Sequence, residues 1–132
     1  MVYEDICYMS ATELAQNIRD RILSPVEIIK AYLARIDLIN PKINAIVIFA
    51  EDALDKAVKA EEAVIRGADL GPLHGVPYTL KDCVQTIGLR TTQGSRVFAN
   101  YMSRSDAIVH TRLRKSGGIL LGKTNMPEFA LW

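Results

Sequence analysis

The chain has 132 residues, 49% of them apolar, and its 16 Lys and Arg against 15 Asp and Glu leave a formal charge of +1. That length suits one domain with a buried core, and so balanced a charge gives no electrostatic support to a polyanionic partner such as nucleic acid. Cys7 and Cys83, and the histidines His74 and His110, stand at no spacing that assembles a metal site from one element, so unpaired thiols, no metal and no cofactor are expected.

The opening Met1 to Met9 carries Glu4 and Asp5 but neither a basic start nor a long apolar stretch. No signal peptide or membrane span is predicted, and a reducing cytoplasm is the expected compartment. Ser10-Ala11-Thr12-Glu13 reads as a capping box, with Met9 and Leu14 placed as a staple, and Ala11, Leu14, Ile18 and Ile22 form an apolar stripe along the helix that follows. A second box, Ser24-Pro25-Val26-Glu27, opens another helix with proline at its first position. Ile28 or Ile29, Tyr32, Leu33, Ile36 and Ile39 mark its buried side, and Asn40-Pro41 is expected to end it.

Ala45 to Ala50 is a short β-branched run suited to a strand, and Glu51 to Arg66 an alanine-rich helix that opens with acids and stops before Gly67. Residues 1–66 thus read as a mainly helical scaffold and 67–132 as an α/β segment, together one partial domain. The tract Gly67 to Gly75 reorients the chain into an apolar strand that ends at Lys81. Alternation puts Thr79 and Lys81 on one face and Tyr78, Leu80 and Asp82 on the other, so Asp82 need not neutralise Lys81 directly. A lysine in such a place is either a solvated edge residue or, if buried enough to lose its proton, a base.

Thr91 to Asn100 is polar and irregular. Asp106 is placed to cap a helix running to Ser116, with Ile108, Val109 and Leu113 inward, Arg112, Arg114 and Lys115 on its solvated side and Gly117 as its stop. Ile119-Leu120-Leu121 is then a short buried strand, and strand, helix, strand in this half argues an α/β sheet covered by helices. Gly117 to Thr124 also satisfies the pattern Gly-x-x-x-x-Gly-Lys-Thr of a phosphate loop. Such a loop needs a strand before its first glycine and a helix beginning near its Lys-Thr. Here a helix comes first and the loop interior reads as strand, so the phosphate-loop reading is set aside.

Four blocks carry a family resemblance: Gly71-Pro72-Leu73-His74-Gly75-Val76-Pro77, Leu80-Lys81-Asp82, Thr91-Thr92-Gln93-Gly94-Ser95 and Gly122-Lys123-Thr124-Asn125-Met126-Pro127-Glu128-Phe129-Ala130. In this order they resemble the amidase signature family, and Ser24 to Glu27 and Ile36 to Ala45 look like its opening helices. The resemblance implies a mixed sheet sandwiched by helices, present here in part, and hydrolysis of carboxylic amides through a Ser, cis-Ser, Lys triad. In such a triad one serine attacks the carbonyl, the second relays its proton and a neutral lysine accepts it. Lys81 matches the lysine. Both serines belong to a Gly-Gly-Ser-Ser-Gly-Gly block that these 132 residues do not contain, so the chain alone is expected to be inactive.

An exposed ammonium of pKa about 10.4 accepts no proton near neutrality, so burial is expected to lower that of Lys81. Thr124 and Asn125 are the candidates for active-site support, although an asparagine there equally suits a turn that bonds its own backbone. By similarity Leu131 and Trp132 fall where family members line the acyl pocket, with tryptophan in place of a frequent small residue. The implied partner is a small-molecule amide. The related alternative is the A-type subunit of a transfer-RNA-dependent amidotransferase, and an alternative of another kind is a non-catalytic binding or complementing module. The apolar end Phe129-Ala130-Leu131-Trp132 reads as a cut within a fold, from which self-association or pairing with a C-terminal part is expected.

Overall fold

The computed structural model describes residues 3–131. A short helix α1, Tyr3–Cys7, precedes the first capping box and was announced by no sequence signal; it buries Ile6 in the helical core. The box itself forms as expected: Ser10 Oγ accepts from Glu13 N at 3.2 Å, and Glu13 Oε2 accepts from Ser10 N at 2.7 Å. It opens α2, Ala11–Arg19, whose buried side is Leu14, Ala15 and Ile18. Ala11 and Ile22, expected in the same stripe, are exposed. The helix stops before Ile22, and Arg21 in a left-handed conformation (φ 57°) turns the chain away from it.

The second box opens α3, Pro25–Ile43. Ile28 and Ile29 are both fully buried, because they serve different clusters: Ile28 packs with Leu14, Ile18 and Val76, and Ile29 with Ala57, Ile119 and Leu121. Burial of each such side chain contributes about 1.5–3 kcal/mol. Asn40-Pro41 does not end the helix. It continues to Ile43 and closes on Asn44, left-handed, whose N–H bonds Asn40 O. Proline's fixed φ is compatible with the helical turn it occupies, and its missing N–H costs one bond. The Asn40 side chain meanwhile pairs with both backbone groups of Ile46, accepting from its N at 2.8 Å and donating to its O at 2.9 Å, and so sets where the next strand begins.

That strand is β1, Ile46–Phe49, followed by α4, Ala53–Ile65, whose buried alanines 53, 57 and 60 let it lie close against α3 and the sheet. Strand β2, Pro77–Lys81, helix α5, Ile108–Lys115, and strand β3, Ile119–Thr124, complete the regular elements. The sheet order is β1-β3-β2, with β3 antiparallel to β1 and parallel to β2. Ile119 and Leu121 pack on α3 and α4, whereas Leu120 and Leu80 pack with Val84, Leu89 and Leu113 of α5. The result is the expected mixed sheet with helices over both faces.

Two expectations for α5 fail. Ile108 and Val109 are exposed, and the buried residue of the helix is His110. Asp106 makes no capping bond; it accepts from Ile87 N at 2.7 Å and meets Arg114 at 3.2 Å, so its carboxylate is engaged by the neighbouring loop and the helix's own basic side. The phosphate-loop geometry is absent among the described residues, since β3 occupies the would-be loop and only a short 3-10 turn, Glu128–Ala130, follows it.

Candidate active site

The glycine and proline tract before β2 fixes the strand's start. Gly75 has φ +75°, and a Cβ there would lie 2.9 Å from both Ile18 Cδ1 and Pro25 Cγ, so glycine alone lets the turn seat against α2 and α3. Leu73 N bonds Ser116 O and Gly75 N bonds Gly117 O, each at 2.9 Å, tying the tract to the end of α5. Lys81 then stands at the far end of a strand anchored at its origin.

The expected alternation holds: Leu80 and Asp82 are buried, while Thr79 and Lys81 face outward. The expected burial of Lys81 does not hold within these residues. Its strand is an outer one, and no hydrogen bond or ion pair reaches its ammonium among the described residues. Lys81 pairs in register with Thr124, whose hydroxyl donates to Leu80 O at 3.4 Å, so the ends of the two parallel strands lie side by side.

Asp82 is turned the other way, at 1% exposure. Its carboxylate accepts from Thr92 N at 3.1 Å and from the Thr92 hydroxyl, while Asp82 N donates to Thr124 O and Asp82 O accepts from Gln93 N. The irregular segment Thr91 to Ser95 is thereby drawn to the end of the sheet. From there Ser95 Oγ donates to Glu128 Oε1 at 2.6 Å, and Phe129 N donates to Gln93 O at 2.9 Å. Segments distant in sequence thus converge on the residues around Lys81.

Asn125 lies beside this cluster and works as a brace. Its Nδ2 donates to Asn44 O at 3.2 Å, its N to Ala45 O at 2.8 Å, and its Oδ1 accepts from Met126 N at 2.9 Å, which joins β3 to the turn between α3 and β1. Asn125, Asp82, Thr92 and Ser95 line a cleft of about 320 Å³. A larger cleft, about 560 Å³, runs between Val47 to Asp52 and the loop Thr86 to Arg90, and Lys81 does not line it. Leu131 is exposed and lines neither cleft; Trp132 lies outside the described residues.

The residue that sequence reasoning did not single out is Lys123, which is fully buried. Its Nζ donates to Val84 O at 2.8 Å and to the Thr91 hydroxyl, which in turn is 2.9 Å from Ser103 Oγ. Desolvation pushes the Lys123 ammonium down to about 8, opposed by the neighbouring Asp82 and Cys83. Nearby, Tyr78 OH lies 3.0 Å from His110 Nδ1; burial pushes the tyrosine up to about 12 and holds the histidine below its usual range. The signal that could have found Lys123 is its place directly after the apolar run Ile119-Leu120-Leu121-Gly122 in a strand that ends at Thr124.

Comparison with known proteins gives a consistent result. The family model described as Amidase matches residues 27–132. The chain is 43% identical over 129 residues to an acylamidase of Rhodococcus erythropolis, covering 97% of this chain and 27% of the relative. It is 41% identical over 128 residues to the A subunit of glutamyl-tRNA(Gln) amidotransferase from Carboxydothermus hydrogenoformans, covering 96% of this chain and 26% of that one. Among solved structures it is similar to the native peptide amidase of Stenotrophomonas maltophilia, with a TM-score of 0.86 and 30% identity over 92% of this chain and 26% of that protein. The chain therefore spans about a quarter of the length of these relatives. No helix among the described residues is long and apolar enough to cross a membrane.

Proposed function

The chain belongs to the amidase family, and from that premise we propose that it is the portion of an amide-hydrolysing enzyme that supplies the general base, Lys81. The observation that carries the reading is the end of β2, where Lys81 is set in register beside Thr124 and flanked by an Asp82 that is held away from it by Thr92. A carboxylate engaged elsewhere leaves the amine free for proton transfer. In the complete site one serine oxygen adds to the amide carbonyl, a bridging serine passes the released proton to neutral Lys81, and the amine leaves with a proton returned along the same path. Water then resolves the seryl ester. Residues packed over the outward face of β2 would desolvate Lys81 and favour its neutral form.

Thr124 and Asn125 support this site by fixing the strand ends, and Leu131 and Trp132 belong to the acyl pocket of the complete site. The isolated chain is inactive on this reading, because the two serines lie outside its 132 residues. Cys7 and Cys83 are not joined in a disulfide, which suits the reducing cytoplasm of this reading. A second reading is favoured by the 41% identity to an amidotransferase subunit: the chain is then part of the A-type subunit of a transfer-RNA-dependent amidotransferase.

Ammonia release from aliphatic and aryl amides tests the proposal, using this chain, the same chain extended through a Gly-Gly-Ser-Ser-Gly-Gly block, and the extended Lys81→Ala variant. Activity in the extended chain alone, reduced by about a thousandfold or more in the variant, is the expected outcome. Turnover by the 132-residue chain that depends on Lys81 would refute its inactivity. Silence from all three would favour a binding or complementing module. Transfer of an amide nitrogen to glutamyl-tRNA would select the second reading.

A further inference from the structure

Fully buried lysines are rare, because an ammonium removed from water loses several kcal/mol of hydration that only close partners offset. Among the described residues Lys123 is the largest side chain with under 2% exposure, and it donates to neutral oxygens rather than to a carboxylate. An apolar side chain of the same length would fill this space without that cost. What the ammonium adds is a second connection, beside the bonds of Asp82 to Thr92 and Gln93, between the turn and the loop.

One segment is the turn that follows β2. Val84 N donates to Lys81 O at 2.9 Å, closing the turn on the residue that carries the proposed base, and Val84 O accepts from Lys123 at 2.8 Å. The other is the Thr91 to Ser95 loop, held by Lys123 through the Thr91 hydroxyl and by Asp82 through Thr92. A bulge makes this reach available. Tyr78 pairs with Leu120 but Thr79 with Gly122, so one residue of β3 is skipped and Lys123 falls opposite Leu80, on the face that meets the loop.

We infer that Lys123 is a positioning residue for Lys81: by bonding Val84 O and Thr91 together it fixes the turn that sets the end of β2, and with it the placement of the base. The inference rests on Lys81 being that base, and it assigns Lys123 no contact with substrate.

Two measurements separate the inference from the reading beneath it. In the 132-residue chain, amide hydrogen exchange is compared between wild type, Lys123→Met and Thr91→Val. Exchange at Val84 and Thr92 is expected to quicken by about tenfold or more in both variants while α2 and α3 are unchanged, as for a local opening. Unaltered exchange at the turn, or equal acceleration everywhere, would overturn the inference. In the chain extended through the serine block, Lys123→Met is expected to lower kcat by about ten- to a hundredfold with KM within about twofold. Unchanged kcat would refute a positioning role. A wild type indifferent to Lys81→Ala would refute the catalytic reading, and with it this inference, whatever the exchange data show.

Discussion

Lys81 and Lys123 stand at the same end of the sheet in opposite surroundings, and the buried one gives stability a pH dependence. The Lys123 ammonium is held at about 8 against a reference of 10.5. Below the lower value folded and unfolded chains both carry the proton, and the folded state bears the full desolvation cost. Between the two values the unfolded chain retains a proton that the folded one has released, so stability rises with pH through that window and levels off above it. The span amounts to about 3–4 kcal/mol at ~1.4 kcal/mol per unit. Urea unfolding near pH 7 and near pH 10 should show the rise in wild type and a reduced one in Lys123→Met; identical profiles for the two proteins would count against it. The strand that ends at Lys81 was legible in the sequence, because a glycine- and proline-rich approach leads into a short apolar run, whereas the role proposed for Lys81 came from the family resemblance. Lys123 was not legible, since strict alternation along β3 gives no warning of the skipped residue that turns it to the loop.

At the scale of elements, legibility followed how local the cause was. Both capping boxes formed because Ser10 with Glu13, and Ser24 with Glu27, satisfy each other within one turn. The end of α3 was misread because Asn40 bonds Ile46 rather than stopping the helix, and the cap of α5 because Asp106 is engaged by Ile87 and Arg114. Those outcomes depend on residues distant in sequence or on partners that periodicity does not reveal. The pairing of β1 with β3 offers a direct test of such a distant cause. A Cβ at position 122 would lie 2.4 Å from Ile48 O and 3.0 Å from Ile46 Cγ2. Gly122→Ala should therefore push the two strands apart and destabilise the fold by about 1–3 kcal/mol, read as a lower urea midpoint. An unchanged midpoint would mean that β1 yields without cost.

The whole molecule shows much apolar surface for its size. Phe49, Ile87 and Met102 are 44%, 60% and 48% exposed, and Ile108 and Val109 of α5 are 72% and 49% exposed. Soluble monomers rarely leave large contiguous apolar patches open, and both β1 and β2 present a free strand edge within the described residues. Sedimentation of the isolated chain should reveal dimers or larger species whose share grows with protein concentration. A single monomer-sized boundary with cooperative unfolding would show that this surface is harmless. The fold class was legible at this scale because helix and strand patterns alternate along the second half, but the strand order was not, as nothing in a linear pattern says which strand lies in the middle.

That middle strand is the last of the three to be made. β1 and β2 do not pair with each other; each pairs with β3, and Ile46 finds its partner only at Thr124. At the roughly 5–20 residues per second of ribosomal synthesis, β1 waits several seconds before its neighbour exists. Helices α2 and α3, built from contacts close in sequence, are free to assemble during that interval, whereas the sheet must close long loops before any pairing rewards it. Birth order on the ribosome therefore makes the helical half the template, and the strand end that carries Lys81 takes its final form only when β3 arrives.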